Sequence, residues 1–134
     1  RLCPPVYGQI ASIGALDTTQ SYFTEVRNEY IARRDYAVTR LNAMEGVYSP
    51  TPMGAFYTIA RIPVDDAEKF AKWMLTDFRL DGQTTMVTPA KSFYKTPGFG
   101  ADQIRLAYVL GIPELEKAFD ALETGLKEYP ERTV

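Results

Sequence analysis

Arg105 is the residue whose type and setting point most directly to chemistry. It is the single charge in the run Ile104-Arg105-Leu106-Ala107-Tyr108-Val109-Leu110. A bare charge is costly to bury, so we expect the guanidinium to have a partner. The partner is either an acid of this chain, or water if the strand edge is solvated, or a ligand carboxylate gripped through two parallel hydrogen bonds. The spacing of the residues leaves these alternatives open.

Three acids, Asp65, Asp66 and Glu68, form a second group that could do chemistry, as a metal cluster or as paired carboxylates. They also fall where a helix is predicted to begin, and acids in a first helical turn offset the macrodipole. We favour this structural interpretation and predict no metal site in this chain.

The stretch Gly98-Phe99-Gly100 could suggest a phosphate-binding loop. It lacks the Lys-Ser/Thr pair of a P-loop, and no helix is predicted to start after it, so we discount that function. Tyr94 and Phe99 flank the loop glycines. We expect these two side chains to be exposed and to meet a ligand or a partner surface. Five aromatic residues could line a pocket, although core packing explains Phe56 as well or better: Phe56, Tyr57, Phe93, Tyr94 and Phe99.

Composition narrows the classes of function that remain. The chain has 134 residues, of which 46% are hydrophobic and 24% charged, as expected for one globular domain with a real core. A net charge of −2 argues against nucleic acid as a partner. The sequence has no histidine, which excludes Ser-His-Asp catalysis and most transition-metal sites.

The cellular setting is indicated by cysteine usage and by the apolar runs. Cys3 is the single cysteine and has no partner for an internal disulfide, which favours a reducing, cytoplasmic compartment. No apolar run approaches the length of a membrane span, so we expect no membrane association. The chain begins at Arg1 and runs into Pro4-Pro5, and we expect it to be part of a longer protein.

Short β-prone runs must position Arg105 and its neighbours. Ala55 to Arg61 and Ile104 to Leu110 are two, and Thr84 to Thr88, closed by Pro89, is a third. Val47-Tyr48 would make a short fourth strand. Alternation along Ile104 to Leu110 puts apolar side chains on both faces, so we expect that strand to be buried on both sides.

Apolar stripes at helical spacing predict four helices around these strands. The start of the long second helix rests on a capping box of Asp17 with Gln20. The third begins with Asp65 and Glu68, and the fourth has Pro113 at its first position. The stretches between start and stop signals are Gln9 to Leu16, Asp17 to Gly46, Asp65 to Gly82 and Pro113 to Pro130.

Four arginines lie along the long helix and could form a basic patch. Acids are interleaved with them, so we favour a solvated helix face instead. The arginines are Arg27, Arg33, Arg34 and Arg40, and the acids are Glu25, Glu29 and Asp35.

The order of elements predicts an α+β fold. We expect one domain over residues 1–134, with a small sheet of about three to four strands covered by helices on one side, and with a long N-terminal helix.

Two motifs in this order resemble the C-terminal small domain of class I (fold type I) pyridoxal-phosphate-dependent aminotransferases. Pro52-Met53-Gly54-Ala55-Phe56-Tyr57 matches the family's Pro-x-Gly-Ala-Phe-Tyr. Val87-Thr88-Pro89, Ser92-Phe93-Tyr94 and Gly98-Phe99-Gly100 lead to Ile104-Arg105-Leu106-Ala107-Tyr108, where the family has Ile-Arg-Leu-Ser-Tyr. The sequence outside these motifs is most like that of bacterial aspartate aminotransferases. Ala90 and Tyr94 depart from the family, which has glycine at both positions, and this puts the local loop shape in question.

The resemblance implies a function for Arg105, which corresponds to the arginine that binds the substrate α-carboxylate. It implies pyridoxal 5′-phosphate in the parent protein, a homodimer, and transamination between aspartate and 2-oxoglutarate. The family's Schiff-base lysine lies upstream of Arg1. We therefore expect residues 1–134 alone to bind no cofactor, to hold no catalytic residue and to be inactive.

Two further expectations follow. The segment 1–16 is too apolar for a free arm, so we expect it to pack at a junction with the parent's large domain, to pair with another copy, or to fold back on its own domain. The alternative function is a non-enzymatic amino-acid-binding or regulatory module, because one arginine on a buried strand would serve that role equally.

Overall fold

Three antiparallel strands in the order β1-β3-β2 form the sheet, and helices cover one of its faces. The computed structural model describes residues 3–134, and Arg1 and Leu2, the start of the predicted 1–16 segment, lie outside it. The three-stranded sheet and the helices that cover it confirm the predicted α+β class. The elements are α1 Val6–Leu16, α2 Gln20–Ala43, β1 Tyr57–Arg61, α3 Ala67–Thr76, β2 Thr88–Pro89, a 3-10 turn Lys91–Phe93, β3 Gln103–Ala107 and α4 Ile112–Glu128.

The edge strand β2 differs from its prediction. It pairs only through Thr88, opposite Arg105, and Pro89, opposite Ile104. The Ala90 N–H donates to the Gln103 carbonyl at 2.9 Å, so the residue between Thr88 and Ala90 turns its nitrogen away from β3. Proline is tolerated there because no ladder bond is lost. Pro89 therefore belongs to the strand it was expected to close, and residues 84–87 do not pair.

Only one face of the sheet is buried, so the prediction that the Arg105 strand is covered on both sides was wrong. Ile104 and Tyr108 point into the core, with exposed fractions of 0% and 2%. The strand ends at Ala107, and Val109 and Leu110 beyond it are 44% and 50% exposed. Apolar alternation could not reveal this, because it does not say whether a second layer is present.

The start of α2 also differs. α1 begins at Val6, earlier than predicted, and continues to Leu16, so Asp17 lies at its C-terminal end rather than at the start of α2. Thr19 occupies the N-cap position of α2 without a side-chain cap bond. The predicted capping box is therefore absent. The predicted stop is confirmed, since α2 ends at Ala43 and Gly46 follows with φ of +77°.

Acids pair with three of the four arginines of α2, which confirms charge interleaving rather than a basic patch, but these three arginines are half-buried and not solvated as predicted. Arg33 contacts Glu29 at 2.8 Å, and Arg40 reaches across to Asp120 of α4 at 2.6 Å. The second contact joins the long helix to the last one. None of the helices between residues 3 and 134 has the length and apolarity that a bilayer crossing requires.

The core lies between the sheet and the helices, and α4 gives it a clean apolar stripe. α4 begins with Gly111 at the N-cap, and Pro113 is its second rather than its first residue. The helix ends at Glu128, before Pro130, as predicted. Val47-Tyr48 contributes one isolated bridge, Tyr48 to Arg61, instead of a fourth strand. The largest fully buried side chains include Leu41, Phe70, Met74, Ile104 and Leu122.

The acids at the start of α3 have structural roles. Asp66, rather than Asp65, is the N-cap, and its carboxylate accepts hydrogen bonds from the Glu68 and Lys69 amides at 2.8 and 3.3 Å. Asp65 instead pairs with Lys69 and accepts a bond from the Tyr129 hydroxyl. The predicted helix start was therefore one residue early. The helix itself ends at Thr76, several residues before the predicted stop at Asp81-Gly82.

Replacing Asp66 with alanine should lower the free energy of unfolding by about 1 kcal/mol, because two amides at the helix start lose their acceptor. Urea denaturation monitored by circular dichroism measures the change. Asp17→Ala is the matched control, since Asp17 makes no side-chain cap bond, and it should change the stability by less than about 0.5 kcal/mol. Equal losses in the two variants would contradict the assigned cap.

Candidate substrate-binding site

Arg105 lies in the middle of the central strand β3, on the face of the sheet that the helices leave open. Its side chain is half-buried. The guanidinium carbon lies 5.4 Å from the centroid of the Tyr57 ring and 5.0 Å from that of Phe93. Tyr57 comes from β1 and Phe93 from the turn after β2, so the rings flank the cation from the two neighbouring strands.

Arg105 has no acidic partner among residues 3–134. Five other arginines in this range form ion pairs within 4.0 Å, and Arg105 forms none. The intramolecular ion pair considered from the sequence is therefore not what holds the side chain. Aromatic faces take that place, and the guanidinium N–H groups make no hydrogen bond to a residue of this range.

The loop that carries Phe93 is fixed on β3 by Tyr94. The Tyr94 hydroxyl donates to Gln103 Oε1 at 2.7 Å, and its ring meets Phe99 edge-on with centroids 4.8 Å apart. Gly100 has φ of +75°, and a Cβ there would lie 2.5 Å from the Tyr94 ring. Tyr94 is thus half-buried against the loop, contrary to the expected exposure, whereas Phe99 is 54% exposed as predicted.

The aromatic residues of the Pro52 to Tyr57 motif lie outside the core. Phe56 is 51% exposed, so of the two interpretations considered for it, core packing was wrong. It meets the Tyr57 ring edge-on at 5.8 Å and lies 6.4 Å from Tyr30 of α2. A row of rings therefore runs from the long helix to Arg105. Little in the sequence indicated that the Tyr57 ring would meet the Arg105 guanidinium, because the two residues are far apart in the chain.

On the covered face, Tyr108 supports the turn before β1. Its hydroxyl donates to the Ala55 carbonyl at 3.2 Å, and Ala55 has φ of +62°, which is unusual for a residue with a Cβ. Burial raises the pKa of the Tyr108 phenol, and the nearby Arg34 opposes that rise. The phenol therefore stays protonated at neutral pH and acts as a hydrogen-bond donor to the turn.

A half-open cavity of about 910 Å³ adjoins β3, between the unpaired residues 84–87 and α4. Its size is in the range of small-molecule sites in proteins. Arg105 borders it, but most of its wall is apolar. The side chains that close it include Leu80, Leu106, Leu115, Ala118, Phe119 and Leu122.

The residues described here do not by themselves fit pyridoxal phosphate, the cofactor that the resemblance implies. A cofactor lysine needs a protected setting that lets its amine act as a nucleophile. All six lysines are exposed. A hydrogen bond to Asp65 raises the pKa of the Lys69 ammonium, which opposes that use, and Lys127 pairs with Glu123 at 2.7 Å. No chemical step is therefore assigned to the cofactor within residues 3–134.

Known proteins similar to this chain are aminotransferases, although no protein-family model matches it. Aromatic-amino-acid aminotransferase 2 of Thermococcus litoralis is 32% identical over 130 residues, which cover 94% of this chain and 31% of that protein. The aspartate aminotransferase of Rhizobium meliloti is 30% identical, with 93% of this chain and 31% of that protein covered. The solved structure of alanine aminotransferase from Pyrococcus furiosus superposes with a TM-score of 0.78 at 30% identity, over 96% of this chain and 31% of that one.

Fold and similarity together define the chain as an aminotransferase small domain. It belongs to the fold type I aminotransferases and matches their C-terminal portion. The chain spans about 31% of the length of the curated relatives that it matches. The names of these similar proteins refer to aromatic amino acids, aspartate and alanine, so the similarity defines the family and not the amino acid.

Proposed function

We propose that this chain is the substrate-binding small domain of a pyridoxal-phosphate-dependent aminotransferase. The observation that carries the proposal is the setting of Arg105. It lies on the open face of the sheet with no acidic partner among residues 3–134, between the Tyr57 and Phe93 rings. A guanidinium in that state is suited to an external carboxylate, and a substrate amino acid brings one.

Arg105 would bind the α-carboxylate of the amino acid or the 2-oxo acid. Its planar fork offers two parallel N–H donors to the two carboxylate oxygens, which fixes the direction of the Cα bonds as well as the position. Such alignment converts binding into orientation of the reacting centre. When bound, pyridoxal phosphate supplies the electron sink of transamination, and its lysine and phosphate ligands would come from sequence outside residues 1–134.

The substrate pair in this proposal is aspartate with 2-oxoglutarate. Several relatives of this chain are named aspartate aminotransferases, from Rhizobium meliloti and Pyrococcus abyssi among others. Arg105 itself would serve any α-amino acid, because the α-carboxylate is common to all of them. The group that recognises the second carboxylate of aspartate is therefore not assigned to this chain.

The proposal also includes the partners of the domain. A large domain would hold the cofactor, the protein would be a homodimer, and it would act in the cytoplasm, where the single exposed Cys3 stays reduced. The α1 segment suits the junction with the large domain, because its apolar side chains have nothing to cover them in residues 3–134. Tyr7 is 87% exposed and Leu16 85%.

The test is amino-group transfer by the full-length protein that contains this chain. We expect oxaloacetate to form from aspartate and 2-oxoglutarate, measured by coupling to NADH oxidation with malate dehydrogenase. Tyrosine, as an aromatic amino acid, and alanine are the comparison donors, because similar proteins are named aromatic-amino-acid and alanine aminotransferases. Transfer from tyrosine or alanine alone would replace the aspartate assignment, and the absence of transfer from any donor, with the cofactor bound, would refute the proposed activity.

A further inference from the structure

The Arg105 side chain is held in place without an acid, and two rings account for this. The guanidinium carbon lies within about 6 Å of both ring centroids, the distance at which a cation and a ring face attract. Arginine is long and rotamer-rich, so an isolated side chain on an open sheet face would sample many orientations. Two flanking ring faces restrict those orientations.

We propose that Tyr57 and Phe93 form an aromatic clamp, whose role is to position the Arg105 guanidinium for a substrate carboxylate. The inference rests on the proposed function, because it gives the rings a part in binding amino acids and 2-oxo acids at Arg105. An acid could also fix this arginine, but it would occupy the N–H donors that a carboxylate needs. A ring face attracts the cation while leaving the five N–H donors free for the ligand.

Phe93 is held in the clamp by backbone bonds to the strand that carries Arg105. The Phe93 N–H donates to the Ala90 carbonyl at 2.9 Å, and the Ala90 N–H donates to the Gln103 carbonyl at 2.9 Å. Ala90 is fully buried, at 0% exposure, so this turn cannot shift outward without opening the core. The same strand, β3, therefore holds both the Phe93 ring and the Arg105 cation in position.

Tyr94 adds a second anchor to the loop next to Phe93. Its hydroxyl is bonded to the side chain of Gln103, which precedes Arg105 by two residues and therefore lies on the same face of β3. Tyr94 stands where the family has glycine, and its ring fills the space above Gly100. This loop is built around the tyrosine, which keeps Phe93 over the guanidinium.

Tyr57 is fixed from the other side of β3. Its backbone pairs with Ala107 in the β1–β3 ladder, and the Phe56 ring meets it edge-on at an interplanar angle of 87°. Tyr57 and Phe93 are 42% and 50% exposed, so both rings also face the space in front of Arg105. A bound carboxylate would lie between apolar walls, where a charge-assisted hydrogen bond is stronger than in open water.

The test compares loss of a ring with replacement of one ring by another in the full-length protein. Phe93→Leu and Tyr57→Leu remove the aromatic faces, while Phe93→Tyr and Tyr57→Phe keep them. Tyr48→Leu is the matched control, because Tyr48 is 63% exposed beside β1 and makes no contact with Arg105. Two quantities are measured: the NMR shifts of the Arg105 side-chain δ and ε protons, and kcat and KM for the amino acid.

We expect each leucine variant to move the Arg105 resonances towards those of an exposed arginine, because the ring current is lost. KM should rise roughly threefold for each ring and roughly tenfold for the double variant, with kcat changed less. The aromatic replacements should recover most of the shift and KM changes seen in the leucine variants, and the control Tyr48→Leu should keep the wild-type shifts and KM.

Two outcomes would overturn the clamp. One is an unchanged set of Arg105 resonances in both leucine variants. The other is an unchanged KM in those variants when Arg105→Ala raises KM strongly. If Arg105→Ala itself leaves KM unchanged, the proposed carboxylate-binding role of Arg105 is wrong, and the clamp's part in binding falls with it. That result is distinguishable because the first two outcomes leave the Arg105→Ala effect intact.

Discussion

Replacing Arg105 with alanine is expected to lower kcat/KM for amino acids and 2-oxo acids from about 30-fold to several thousand-fold. Truncating one member of a buried, hydrogen-bonded charge pair costs about 2–5 kcal/mol, and each 1.36 kcal/mol is a tenfold change in rate. Both halves of the reaction should be affected, since both substrates carry an α-carboxylate. Steady-state kinetics with varied amino acid and with varied 2-oxo acid measure the two losses.

Two variants distinguish carboxylate binding by the Arg105 guanidinium from the effect of a positive charge alone. Arg105→Lys keeps the positive charge but loses the planar fork, so it should recover only part of the loss. Arg61→Ala is the matched control, because Arg61 lies on the same open face, 65% exposed and paired with Asp102 at 3.9 Å. An exposed pair of this kind is worth little, and the control should leave kcat/KM within about threefold. Equal losses in Arg61→Ala and Arg105→Ala would show a general field effect rather than a binding residue.

The fold class could be predicted because its signals are local. The stripe of Leu115, Phe119 and Leu122 recurs at helical spacing, and all three are buried in α4. Alternation likewise located the central strand β3. Gly46 ended α2 as expected, because a left-handed φ suits glycine there. Each of these features depends on a few adjacent residues, so the sequence alone contains the information.

The burial of β3 could not be predicted because it depends on a second layer. Arg105, Ala107 and Val109 share one face of the run, and the sequence does not say what covers that face. Within residues 3–134 the Tyr57 and Phe93 rings partly shield Arg105, but no second layer of helices or strands covers this face, and Ala107 on it is exposed. The predicted end of strand β2 was wrong for a related reason. Whether a proline ends a strand depends on whether its nitrogen faces a neighbouring strand or the free edge of the sheet.

The setting of Arg105 was only half predictable. The sequence and the family motif singled out the residue, but they offered an acid, water or a ligand as its partner. The actual neighbours, Tyr57 and Phe93, come from two other segments, and their meeting requires the β1–β3–β2 order. Contacts between residues so far apart in sequence are set by tertiary structure, which no local pattern encodes.

Replacing Phe70 with alanine is expected to lower the free energy of unfolding by about 3–5 kcal/mol, which is the usual cost of removing a buried aromatic ring. Phe70 lies in α3, in the apolar stripe that the sequence predicted, and its exposure is 0%. Its ring meets Tyr129 edge-on at 5.2 Å and stacks on Trp73 at 6.4 Å. The substitution therefore removes packing on both sides of the ring. The expected loss is a large part of the total stability of a typical domain, which is about 5–15 kcal/mol.

Phe23→Ala is the matched control, because Phe23 lies on α2 and is 52% exposed. A surface truncation of this kind should change the free energy of unfolding by less than about 0.5 kcal/mol. Urea denaturation at a common slope compares the two variants, since a changed slope would indicate a different unfolded or native state. The position of Phe70 at the centre of the core requires a much larger shift for Phe70→Ala. Similar midpoints for both variants would mean that the Phe70 ring is not packed against Tyr129 and Trp73 in solution. The helix layer that covers the strand of Arg105 would then not be built as described.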